Sequence, residues 1–146
     1  MIFYTALQEP MASYWLLKEE PEHYSFDNLV SDGKTVWSGV RNNLALKHMR
    51  TMKKGDLAFY YHTGKETTVV GIIKIGSDPY PDPEENDPKL VAVDVAPVEK
   101  LKQPVTLAEI KSNSKFKNFE LVRIPRLSVM PVPKALWDEI IKISRK

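Results

Sequence analysis

Apolar residues divide the chain into short strands joined by brief helices. Ser13-Tyr-Trp-Leu-Leu17 is a compact aromatic and aliphatic run stopped by Lys18-Glu-Glu-Pro21, the pattern of a buried strand. Leu57-Ala-Phe-Tyr-Tyr-His62 and Thr67-Thr-Val-Val-Gly-Ile-Ile-Lys-Ile75 predict two more, opened by the turns Lys54-Gly-Asp56 and Thr63-Gly-Lys65. From Leu90 to Val98, Val91, Val93 and Val95 alternate with Ala92 and Asp94, which predicts a half-buried strand. Thr35-Val-Trp37 and Ser128-Val-Met-Pro-Val132 complete the set, the last as an edge strand.

Helical spacing is found in four places. Ser25 to Val30 predicts a short helix with Ser25 as N-cap and Gly33 past its end, and a second runs from Asn42 or Asn43 to Thr51. Thr106 caps a third over Leu107 to Ser112. Lys134 to Ser144 is amphipathic, with Leu136, Trp137, Ile140, Ile141 and Ile143 as its apolar positions. Phe116, Phe119 and Leu121 are further apolar anchors, and the prolines between Asp78 and Pro88 predict a stiff loop. Strands this closely spaced leave no room for repeated βαβ crossovers. The expected class is α+β, a mostly antiparallel curved sheet or small barrel with short helices inserted between strands.

Composition narrows the classes further. A chain of 146 residues points to one domain with a real core. It holds no apolar run long enough to span a bilayer, and Met1 to Leu7 lack the basic start and apolar length of a secretory signal. Residues 1–12 are expected to be an N-terminal extension outside the fold, with Met11 a second candidate start, and residues 13–146 the domain. Cysteine is absent, which excludes disulfides, thiolate zinc sites and a cysteine nucleophile, and suits an intracellular protein, cytoplasmic or, in a eukaryote, nuclear. The formal net charge of +2 is small for a protein that grips a long duplex through phosphates. Lys47, Arg50, Lys53 and Lys54 read as a solvated helix end rather than a nucleic-acid track.

Several segments resemble a known family in order. Tyr14-Trp-Leu-Leu-Lys-Glu-Glu-Pro21, Trp37-Ser-Gly-Val-Arg-Asn42 and Met52-Lys-Lys-Gly-Asp-Leu-Ala-Phe-Tyr-Tyr-His62 are similar to blocks of the EVE domain. Val69-Val-Gly-Ile72, Tyr80-Pro-Asp82, Pro104-Val-Thr-Leu107 and Leu121 to Val129 follow at family-like intervals, so the resemblance spans roughly Ser13 to Ile143. Glu19 stands where that family commonly has a small residue, Thr63 where Ser is frequent, and Asn43 where an aromatic is frequent. The resemblance implies a PUA-like fold. It also implies recognition of a modified base, chiefly methylated or oxidised cytosine, in DNA or in RNA.

Holding one base requires flat surfaces for its faces and a few fixed donors and acceptors for its edges. Trp37 offers a face, Gly39 a close backbone approach, Arg41 a planar donor fork and Asn42 an amide. The bland reading of the same run is a core Trp, a surface ion pair and a helix cap. Tyr60 and His62 share one strand face and Phe59 and Tyr61 the other, and which face meets the pocket is open. Tyr80 and Asp82 lie in the stiff loop, where Asp82 suits an exocyclic amine. The expected base-binding set is Lys18, Glu20, Trp37, Gly39, Val40, Arg41, Asn42, Tyr61, His62, Tyr80, Asp82, Arg126 and Ser128.

No cofactor and no metal is expected, because His23, His48 and His62 lack ligand spacing. A hydrolase using Glu19, Glu20, Asp82 or Asp87 is the alternative, although no nucleophile elbow or phosphate loop accompanies them. A small-molecule binder using the same cavity is the other. The expectation is a non-catalytic reader whose partner is nucleic acid carrying a modified base.

Overall fold

The computed structural model describes residues 13–146, and the expectation for residues 1–12 lies outside the described residues. In chain order the strands are β1 (Tyr14–Glu19), β2 (Thr35–Trp37), β3 (Leu57–His62), β4 (Thr68–Ile75), β5 (Tyr80–Pro81), β6 (Val91–Thr106) and β7 (Val129–Pro131). The helices are α1 (Pro21–Tyr24), α2 (Phe26–Asp32), α3 (Asn43–Arg50), α4 (Leu107–Lys111), α5 (Glu120–Arg123) and α6 (Lys134–Ser144). The strands form one sheet in the order β2-β6-β4-β3-β1-β7, with β5 paired on β6. Every pairing is antiparallel except β1 with β3. That parallel pair requires a long crossover, which α1, α2, β2 and α3 supply.

The sheet curls into a half-barrel at its irregularities. β3 slips against β4 between Tyr60 and Tyr61, and β4 slips against β6 between Val69 and Gly71 and between Ile72 and Ile73. Bulges bend a strand and raise its twist, which closes the sheet around its core. They also explain why β6 runs well beyond the expected Val98. Pro97 pairs with Ile73 beside one slip, and Pro104 falls in the stretch opposite the other. A proline is tolerated where ladder hydrogen bonds are already interrupted. Leu101 and Val105 point inward while Lys100 and Lys102 stay exposed. The expectation of a half-buried strand is corrected near its start, where Ala92 is buried along with Val93 and Val95.

Local chemistry accounts for most of the helices. Ser25 caps α2 and exchanges hydrogen bonds with Asn28 in a capping box, and Gly33 ends the helix at φ +82°. Thr106 and Glu109 form the same arrangement on α4. Two single-turn helices, α1 and α5, escape the sequence pattern. Pro21 was expected only to stop a strand, yet it opens α1, a position its missing N–H suits. The stiff loop likewise contains β5, where Pro81 sits on a short edge pairing.

Packing fixes the elements around the sheet. Trp137 of α6 stacks on Phe59 at 3.8 Å and on Tyr14 at 4.5 Å. Phe26 of α2 lies against Gly71, where a Cβ would come within 2.4 Å of its ring. That contact explains the glycine inside the longest β-branched run. No helix among the described residues is long and apolar enough to cross a membrane.

Candidate functional site

β2 ends on the sheet edge at Trp37, and a cleft of about 180 Å³ opens there between Glu19, His23, Tyr24, Thr35, Val36, Trp37 and Ser38. Sites for drug-sized ligands run from about 300 Å³ upward, so this one suits a single small ring. A wider hollow of about 380 Å³ between β6 and α6 has no aromatic residue in its lining among the described residues.

The cleft wall is held by an aromatic chain running into the core. Trp37, 7% exposed, meets Tyr60 edge to face at 5.6 Å. Tyr60 makes similar contacts with Phe26 at 5.7 Å and His62 at 5.6 Å. Its hydroxyl donates to the Tyr24 carbonyl, and burial, with the Glu19 charge next, raises its pKa well above the usual tyrosine value. The Tyr24 hydroxyl donates to Asp32 at 2.7 Å, and burial and that bond raise its pKa as well. His62 Nε2 accepts the Phe26 N–H at 3.1 Å while Nδ1 lies 2.8 Å from Glu66. An imidazole that accepts at Nε2 carries its proton on Nδ1, so His62 serves as a clamp between β3 and α2. Glu19 Oε1 accepts from the Glu20 N–H at 2.8 Å, and Oε2 lies 3.1 Å from His23 Nδ1.

A turn beyond Trp37 is set by Gly39 at φ +76°, a conformation few L side chains adopt. Its N–H donates to Asp82 Oδ2 at 2.8 Å, and Asp82 Oδ1 accepts from the Glu84 N–H at 2.9 Å. Asp82 is only 3% exposed, so both carboxylate oxygens hold backbone inside the protein. Tyr80 donates to Asp94 at 2.6 Å, and its phenol is pushed up to about 12 by burial first and that carboxylate second. Arg41 pairs with Glu85, and Asn42 caps α3 by accepting the Ala45 N–H at 2.9 Å.

The expected residues therefore separate into groups. Trp37, Gly39, Arg41, Tyr80 and Asp82 belong to one region, but of these only Trp37 is in the cleft lining. Val40 packs partly buried against the core. The register of β1 on β3 pairs Leu17 with Tyr60 and Glu19 with His62, and puts Lys18 with Tyr61 on the opposite face. Tyr60 is thus the tyrosine behind the cleft wall, where Tyr61 was in the expected set. Lys18 donates to the Pro125 carbonyl at 2.8 Å and lies 5.5 Å from the Tyr61 ring. Burial lowers the Lys18 pKa and pushes Tyr61 up to about 12. The Ser128 carbonyl accepts the Lys18 N–H at 2.9 Å, and exposed Arg126 follows the same segment, away from the cleft lining. Glu20 is exposed at the start of α1 and borders a separate hollow with Thr63 to Glu66.

The base-binding set expected from the sequence omits the cleft residues His23, Tyr24, Thr35, Val36 and Ser38, and Glu19 counts only as a departure from the family pattern or a hydrolytic carboxylate. Val36 and Ser38 adjoin Trp37 in sequence and lie within reach of the same reasoning. Tyr24 does not, because its place depends on α1.

The EVE domain profile matches residues 13–143. The chain belongs to the EVE domain family. Its fold is the PUA-like α+β arrangement expected from the sequence, as its solved relatives also show. Human thymocyte nuclear protein 1 is 32% identical over 93% of this EVE chain and 76% of its own length. A Rhodopseudomonas palustris protein solved by NMR is 40% identical, with a TM-score of 0.88 over 92% of this chain and 94% of its own. The human THYN1 protein, crystallised in complex with DNA containing 5-methylcytosine, is 32% identical, with a TM-score of 0.86 over 92% of this chain and 99% of its own.

Proposed function

We propose that this EVE domain is a binding module that holds one modified nucleobase, a methylated or oxidised cytosine flipped out of a DNA strand, in the cleft at Trp37. The observation that carries the reading is a ring-sized cleft with Trp37 and Tyr24 in its walls, in a fold whose human THYN1 relative was solved with 5-methylcytosine DNA. Extrusion of the base supplies the single flat ring that such a cleft suits. Asp82 is a poor candidate for hydrolysis, since both its oxygens accept from backbone N–H groups and it lies outside the cleft lining.

The surroundings predict few phosphate contacts. Glu19 and His23 line the cleft, Asp32 accepts from the Tyr24 hydroxyl beside it, and Arg41 is occupied by Glu85. Affinity should therefore fall gently with salt, with a log–log slope no steeper than about −2.

The test is equilibrium binding of matched oligonucleotides with cytosine or 5-methylcytosine at one position, for wild type, Trp37→Ala and Tyr24→Ala. A buried methyl group contributes about 0.8 kcal/mol, so a preference of roughly fourfold for 5-methylcytosine is expected. Both variants should lose it. Tyr24 is only partly buried, so its variant keeps the test informative if Trp37→Ala unfolds. Equal wild-type affinity for the two oligonucleotides would overturn the reading.

A further inference from the structure

The cleft's chemistry is dominated by one group. Among the described residues its lining contains a single carboxylate, Glu19, one histidine, and no lysine or arginine. The Glu19 side chain remains 26% exposed, and it shares its sheet face with His62 and lies near enough to Tyr60 to raise that phenol's pKa. An ionised carboxylate accepts at about four lone-pair positions and donates at none. Two are engaged, one by the Glu20 N–H and one by His23 Nδ1. The Glu20 N–H holds the carboxylate in place without neutralising it, and His23, with its side chain 75% exposed, is the titratable group paired to it among the described residues. Acceptor capacity remains, beside the Trp37 and Tyr24 rings.

We propose that Glu19 makes the cleft selective for the 4-amino edge of a pyrimidine over a 4-oxo edge, a role that rests on the base-binding reading above. Cytosine and 5-methylcytosine present an exocyclic N4 donor, which a carboxylate accepts. Thymine carries the same methyl group but presents O4, and its N3–H is flanked by two carbonyl oxygens that repel a carboxylate. The aromatic walls and methyl contact treat the two bases alike. Glu19 distinguishes them.

The test compares single-stranded oligonucleotides carrying either 5-methylcytosine or thymine at one position, so that loss of a base pair does not enter the result. Wild type is expected to favour 5-methylcytosine by about tenfold, the scale of one good base-edge contact. Glu19→Gln keeps an oxygen for the Glu20 N–H but places a donor amide beside it, so the ratio should fall to within about twofold. Thermal melting accompanies each variant, and a structural role alone would lower both affinities without moving their ratio. A tenfold ratio that survives Glu19→Gln overturns the proposal. So does a wild type that binds the two bases equally or prefers thymine while still losing affinity on Tyr24→Ala, and in that case the base-binding reading stands. Wild-type binding that ignores both the base and Tyr24→Ala overturns the two together.

Discussion

Trp37 has two surfaces at work: its edge-to-face contact with Tyr60 belongs to the core, and its remaining exposure belongs to the cleft. Asp82 has the complementary character, being absent from the cleft lining yet holding the Gly39 turn that follows Trp37. Replacing it by Asn removes the charge and substitutes a donor for one acceptor, leaving one backbone N–H without a partner. Urea unfolding should show a loss of about 1–3 kcal/mol for Asp82→Asn, the range for an unsatisfied buried donor, and base affinity should weaken with it. Unchanged stability would remove Asp82 from the support of the site. At this scale the sequence pointed to Trp37, which lines the cleft, and to several residues that the structure places away from it. The run Trp37 to Asn42 stood out because its residue types suit a base, but Asn42 proved to be the cap of α3. Residue type could not reveal that Lys18 and Tyr61 share the far face of the sheet, since strand phase is set by pairing.

Among the elements, α2 meets β4 at one close contact, between Phe26 and Gly71. Phe26 fills the space above Gly71 and donates its N–H to His62, so the helix is clamped to β4 and β3 together. Gly71→Ala would drive a methyl group into the Phe26 ring, and overpacking of this kind costs about 1–3 kcal/mol. A melting temperature lowered by several degrees is expected for this variant, and an unchanged one would contradict the packing. Most strands and the longer helices were legible, because alternation, capping residues and turn glycines are local signals. The far half of β6 was not. Its prolines argue against a strand when read alone and become acceptable only at bulges that the pairing with β4 creates. The single-turn helix α1 was missed for a related reason, its one turn being too short to show periodicity.

The molecule as a whole places the parallel pair β1 and β3 inside a curled sheet, towards its β7 end, and the cleft where β2 ends. This geometry gathers Glu19 from β1, Tyr24 from α1 and Trp37 from β2, three segments that only the crossover between β1 and β3 brings into one place. The three tryptophans report on different regions. The Trp15 indole N–H donates to buried Asp56 at 3.0 Å, Trp137 stacks between Tyr14 and Phe59, and Trp37 lines the cleft. The most direct test of the account follows the three indole N–H resonances in ¹⁵N-labelled protein during titration with a 5-methylcytosine oligonucleotide. The Trp37 signal should shift to saturation while those of Trp15 and Trp137 stay in place. A Trp37 signal that does not move at saturation, or a larger shift at either of the others, would contradict the cleft as the base site.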